Sequence, residues 1–151
     1  MRAEHINPFV VATVNAFETL VGCRVTRCGL ELKTDYAPTF DISGIIELRG
    51  SATGVVAISL SRDAALGITG ALLDLCPTEI DAEVVDAVGE LANIIAGGAK
   101  SKLEVLEMSI SLPKVICGQS HKIEFPAEAK PISVPFDSPW GPFCIDVGLT
   151  Y

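Results

Sequence analysis

Between Arg24 and Ser61, three strand-like runs follow one another with no helix-like run between them. They are Arg24–Lys33, Phe40–Arg49 and Gly54–Ser61, each rich in β-branched or apolar residues. Ser51-Ala52-Thr53-Gly54 reads as a short turn between the last two. Strands in direct succession favour an antiparallel or mixed sheet with helices packed on one side, an α+β layer fold. The second half repeats the pattern, with strand-like runs at Met108–Leu112, Lys114–Cys117, Pro131–Phe136 and Phe143–Thr150. The polar stretch Gly118–Lys130 reads as a loop.

Helix-like runs precede each group of strands. The first is expected over Asn7–Leu20, with Asn7 as cap, Pro8 at the first helical position and Gly22 as terminator. A second is expected from Arg62 to Leu75, capped by Ser61 and broken by Pro77. A third opens at Thr78-Glu79-Ile80-Asp81, a cap followed by acids that suit the helix dipole. Its apolar stripe runs through Val84, Val85, Val88, Leu91, Ala92 and Ile95, and it is expected to reach about Leu106, with Gly97-Gly98 as a weak point or a close packing contact. The order predicts one helix-plus-three-strand unit used twice, a pseudo-symmetric single domain over 1–151. Asn15 and Asn93 stand 78 residues apart at matching places in the two units.

Composition excludes several classes of function. Apolar residues make up 49% of the chain, enough for a sizeable core. No apolar run reaches the roughly 18 residues that span a bilayer, and the start Met1-Arg2-Ala3-Glu4-His5 lacks a signal-peptide pattern. The net charge of −8 argues against nucleic acid and against anionic membrane surfaces. Cys23, Cys28, Cys76, Cys117 and Cys144 are odd in number, scattered and without zinc-like spacing, which points to a reducing, cytoplasmic setting and to no metal site. They read as small hydrophobes rather than as catalytic thiols, which need an adjacent base. Gly97-Gly98 lies in a helix pattern without a phosphate-loop context and reads as packing. Trp140, in Pro139-Trp140-Gly141-Pro142, reads as a turn aromatic packed on the sheet, and His121 as a loop residue.

The chemistry-bearing segment is Asp86-Ala87-Val88-Gly89-Glu90-Leu91-Ala92-Asn93-Ile94-Ile95-Ala96-Gly97. Glu90 and Asn93 are three apart and therefore neighbours on one helix face, with Asp86 one turn before and Gly97 one turn after. The apolar stripe lies opposite, so the acid and the amide point outward from an anchored helix. Such a pair taken alone is common on solvated helices, and Asn in mid-helix costs only a few tenths of a kcal/mol, ~0.5 or so.

The wider pattern is more specific. Ile6-Asn7-Pro8-Phe9 with Ala12-Thr13-Val14-Asn15-Ala16-Phe17, then Glu90-Leu91-Ala92-Asn93-Ile94-Ile95-Ala96-Gly97, then Ser111-Leu112-Pro113-Lys114-Val115 together resemble the CheC, CheX and FliY group of bacterial chemotaxis phosphatases, the CheX branch above all. The resemblance covers nearly the whole length. Asp86, Glu90, Asn93 and Pro113 fill the places of the family's signature. It implies hydrolysis of the aspartyl phosphate of a CheY-type receiver, with Asn93 orienting the attacking water and Glu90 pairing with a receiver lysine. It also implies that Mg²⁺ comes from the receiver, that the chain needs no cofactor of its own, and that it forms homodimers through its sheet. The late strand Phe143-Cys144-Ile145-Asp146-Val147 is expected to offer an open edge for that pairing. Ala12 stands where the first unit would need its acid, so one site per subunit is expected. The competing reading is a non-catalytic module that binds a regulator or a flagellar switch component, since the middle domain of the switch protein FliM has a related fold without this catalysis.

Overall fold

The structure, a computed structural model, describes residues 3–33, 40–118 and 122–151. His121, expected in a loop, lies outside the described residues, as do residues 119–120 of the expected 118–130 loop. Helix α1 spans Ala3–Ala16 and continues through a π-helical turn, Phe17–Val21, to Gly22. Gly22 closes the run with a left-handed φ of 77°, a conformation that costs glycine nothing. The start differs from the expectation at Asn7: α1 begins a turn earlier and Pro8 lies inside it. Pro8 removes one helical hydrogen bond, but His5 and Ile6 ahead of it are both buried, and that burial draws the earlier turn into the helix. The His5 ring and the Tyr151 hydroxyl share a hydrogen bond that ties this turn to the end of the chain.

Two short exposed strands follow, β1 (Thr26–Arg27) and β2 (Glu31–Leu32), where one run from Arg24 to Lys33 was expected. Gly29, at φ 148°, separates them. Strands β3 (Ile42–Arg49) and β4 (Thr53–Leu60) form a hairpin close to the expected bounds. Helix α2 (Arg62–Leu73) begins at Ser61, whose hydroxyl accepts from the Ala64 N–H. It stops two residues before Leu75 because Asp74 turns left-handed at φ 54°. Helix α3 (Ala82–Ser101) is capped by Asp81 rather than Thr78, and a 3₁₀ turn, Glu104–Leu106, stands where its last turn was expected. The chain ends with β5 (Ser109–Ile110), β6 (Lys114–Cys117), β7 (Ile132–Ser138) and β8 (Gly141–Thr150).

The strands form one antiparallel sheet in the order β1-β7-β8-β4-β3-β5, with β2 also on β7 and β6 also on β3. Each half thus lends its short strands to the other half's hairpin, around the central β4–β8 pair. This is the pseudo-symmetric helix-plus-strand repeat read from the sequence. One expectation is overturned here: Phe143–Val147 is no open edge, because β8 is paired with β4 on one side and β7 on the other. Its apolar residues serve the core.

The helices cover one sheet face. Ile42, Ile46, Ile58, Leu60 and Ile145 point into that core, at most 2% exposed. Phe143 stacks between Phe17 and Phe136, with ring centroids 4.7 and 5.1 Å away. The opposite face is partly roofed, since Val55 and Ala57 pack with Ile123 and Phe125. On that face Lys33 Nζ lies 3.4 Å from an oxygen of Asp146, which is wholly buried. Trp140 occupies the β7–β8 turn and packs on α2: a Cβ at Gly67 would fall 2.1 Å from its ring. No described helix is long and apolar enough to cross a membrane.

Candidate active site

The site is built on α3, and the local sequence explains why this helix is rigid. The Asp81 carboxylate accepts from the Val84 N–H at 3.1 Å, satisfying one of the free donors of the first turn. Glu83 near the start and Lys100 near the end complement the helix dipole. Val84, Val88, Leu91 and Ile95 are at most 1% exposed, each contributing about 1.5–3 kcal/mol by burial. Gly44 of β3 lets the helix lie close to the sheet: a Cβ there would sit 3.0 Å from Ala92 Cβ and 3.2 Å from Val88 Cγ1.

The outward face of this anchored helix carries the residues singled out from the sequence. Asp86 and Glu90 are exposed and Asn93 is half-buried. Among the described residues, none of the three side chains has a hydrogen-bond or ion-pair partner within the chain. Asp86 and Glu90 are therefore open to another molecule, and Asn93 in part.

Pro113 arrives from the link between β5 and β6. It lies against Gly89, where a Cβ would be 3.6 Å from Pro113 Cγ and 3.3 Å from Val115 Cγ2. Val85, Asp86, Gly89, Glu90, Pro113 and Val115 line a shallow groove of about 380 Å³. The structure therefore brings Asp86, Glu90 and Pro113 together, with Asn93 one helical turn beyond Glu90. The groove floor is apolar and its rim acidic, a shape and charge suited to a cationic side chain entering beside Glu90.

A second depression, of about 430 Å³, continues the same face toward the helix end, lined by Gly97, Lys100, Ser101, Glu104, Met108 and Ile110 among others. Sequence reasoning did not find it. Its walls come from α3, the 3₁₀ turn and β5, which meet only in the fold. The paired glycines also separate in role. Gly98 is a packing contact, with a Cβ there 3.2 Å from Ala12 Cβ, whereas Gly97 faces open space with nothing within 4 Å. A glycine inside a helix costs about 0.5–1 kcal/mol relative to alanine, and at position 97 no packing among the described residues offsets it.

None of the cysteines is among the residues that line the two depressions. Burial pushes the Cys23 thiol above its ordinary range. Cys28 is also raised, by desolvation first and then by the Asp137 carboxylate, 3.4 Å from its Sγ. Neither is activated as a nucleophile.

Comparison with known proteins places this fold. The family model described as "Chemotaxis phosphatase CheX" matches residues 42–137. The chain belongs to the CheX family. A CheC-like superfamily protein from Shewanella sp. PV-4 is similar over 100% of both chains, with 30% identity and a TM-score of 0.90. Chemotaxis protein CheX from Vibrio vulnificus is similar over 98% of this chain and 100% of its own, with 30% identity and a TM-score of 0.89. The fold is shared too with the CheX–CheY–BeF3–Mg²⁺ complex from Borrelia burgdorferi, over 99% of this chain and 100% of that one, at 23% identity and a TM-score of 0.84. No curated protein matches by sequence.

Proposed function

We propose that this chain is a phosphatase for the aspartyl phosphate of a CheY-type receiver domain, with Glu90 and Asn93 as its working side chains. The observation that carries the reading is their joint presentation on α3: two polar groups without partners, on a helix anchored behind, beside a groove closed by Pro113. Membership of the CheX family and the Borrelia CheX–CheY complex support the choice of partner.

The chemistry fits the residues. An aspartyl phosphate is an acyl phosphate, already reactive toward water. What it lacks is a water held in line with phosphorus, and positioning with electrostatics dominates phosphoryl transfer. The Asn93 side-chain oxygen accepts a hydrogen bond from that water without bringing a charge to the phosphoryl group. A carboxylate there would repel it. Attack forms the new P–O bond, the acyl–oxygen bond to phosphorus breaks, and inorganic phosphate leaves the receiver aspartate. Glu90 pairs with a lysine of the receiver's site and fixes the docking register, while Asp86 and Pro113 shape the groove around it. The divalent ion belongs to the receiver, as Mg²⁺ is part of the Borrelia complex.

In this reading the chain acts in the cytoplasm as one domain with one site per subunit. Ala12, the first unit's counterpart of Glu90, is 7% exposed and turned toward Gly98 rather than solvent. The test is the decay of a phosphorylated receiver with and without the protein. Acceleration at substoichiometric protein supports the phosphatase; binding without acceleration favours a non-catalytic module.

A further inference from the structure

We infer that Gly97 is a clearance residue for the partner: its missing side chain lets the receiver's polypeptide settle against the α3 backbone beside Asn93 and enter the depression behind it. The inference rests on the phosphatase reading for the identity of the partner, but its observations are separate.

The glycines near the site each have a structural reason except this one. A Cβ at Gly89 would press on Val115 and Pro113, one at Gly98 on Ala12, and one at Gly44 on Ala92 and Val88. At Gly97 a Cβ would meet nothing within 4 Å, and the residue lies well inside α3. Neither packing nor a left-handed turn calls for glycine there, since its φ is not positive. Helix propensity opposes it. What distinguishes the position is its address: one turn beyond Asn93, on the same outward face, and on the wall of the depression of about 430 Å³.

The surface continues from the Pro113 groove past Asn93 into this depression, so a partner that seats a cation at Glu90 and a phosphoryl group at Asn93 extends over position 97. Any side chain there stands between the partner and the depression, and a shift of even one ångström at Asn93 disrupts the alignment of water and phosphorus. Met108 and Ile110 give the depression an apolar floor, and Lys100, Glu104 and Glu107 give it charges of both signs at the rim. That lining suits an apolar side chain of the receiver flanked by polar backbone. Gly97 is thus a specificity and positioning residue and takes no part in bond-making.

The experiment compares wild type, Gly97→Ala and Gly97→Leu in two measurements. One is binding to a receiver loaded with beryllofluoride and Mg²⁺; the other is steady-state dephosphorylation of the phosphorylated receiver. Thermal melting is expected to show both variants at or above the wild-type Tm, because alanine and leucine are better helix formers. Affinity is expected to fall in the order of side-chain size, several-fold for alanine and at least tenfold for leucine, with KM rising in step. Wild-type affinity and KM in both variants would overturn the inference. If wild type binds the loaded receiver but does not accelerate hydrolysis, the phosphatase reading fails while the binding series still decides the role of Gly97. If wild type binds no receiver, the inference falls with the reading.

Discussion

Gly98 of α3 meets Ala12 of α1 face to face, so closely that a Cβ at position 98 would lie 3.2 Å from that of Ala12. This contact joins the helices of the two repeat units and explains why only one of them presents an acid. Adding bulk there forces the helices apart, and Gly98→Leu is expected to cost about 1–3 kcal/mol in urea unfolding. Ala12→Glu restores the acid by sequence but buries it against α3 without a partner. It is expected to destabilise by about 1–3 kcal/mol or more and to leave the dephosphorylation rate no higher. A rate gain in Ala12→Glu would show a usable second site. Asn15→Ala, on the exposed side of α1, is expected to leave the rate unchanged.

The ion pair on the roofed face of the sheet makes an independent stability prediction. Asp146 is fully buried, and among the described residues its oxygens have an ionic neighbour in Lys33 but no hydrogen bond. Removing Lys33 takes the ionic neighbour from a buried carboxylate, so Lys33→Met is expected to cost about 3–5 kcal/mol. The pair lies across the sheet from α3, so the surviving folded fraction should keep its rate per folded molecule. A change in urea midpoint too small to measure would contradict this account.

The cysteines are expected to be inert. With the Cys23 and Cys28 thiols both raised, the neutral form dominates at neutral pH and the thiolate nucleophile is scarce. Iodoacetamide should label both more slowly than a free peptide cysteine at the same pH. Cys23→Ala and Cys28→Ala should retain the wild-type rate, and the chain alone should bind no stoichiometric zinc.

Assembly is expected to use a true sheet edge. Strand β8 lies in the sheet centre, but β1 and β2 lie at the rim, where Leu30 and Leu32 are 48% and 62% exposed. An exposed edge strand with apolar side chains invites a second copy. Light scattering should give a mass of roughly twice 15.9 kDa, and Leu32→Lys should shift it toward the monomer. A monomer mass for the unaltered chain at micromolar concentration would contradict this.

These contrasts show what local sequence carries. The α3 stripe and the β3–β4 hairpin were legible because period and burial agree there: Val84, Val88, Leu91 and Ile95 all face the core. Helix starts were less so. Asn7-Pro8 is a sound local start, yet burial of Ile6 and the link between His5 and Tyr151, 146 residues apart, override it. Thr78 and Asp81 could each cap α3, and only the fold selects Asp81. The place of β8 was hidden because strand order depends on pairings between distant segments, and apolar residues suit a central strand as well as an edge. That Glu90, Asn93 and Gly97 share one outward face of α3 was legible from helical spacing, whereas the choice of Glu90 and Asn93 came from the family resemblance. The depression beside Gly97 was not legible, since β5 and the 3₁₀ turn build its far wall.

The central claim assigns different work to Glu90 and Asn93, and one set of rates tests it. Glu90→Ala removes the partner of a receiver lysine that is desolvated on docking, so binding should weaken by about 2–5 kcal/mol. Asn93→Ala removes the group that places water and leaves the docking contacts. Its dephosphorylation rate at saturating phosphorylated receiver should fall roughly 10²–10³-fold, the usual cost of one preorganised polar group acting in the transition state, with affinity nearly unchanged. A wild-type rate for Asn93→Ala at saturation would contradict the mechanism.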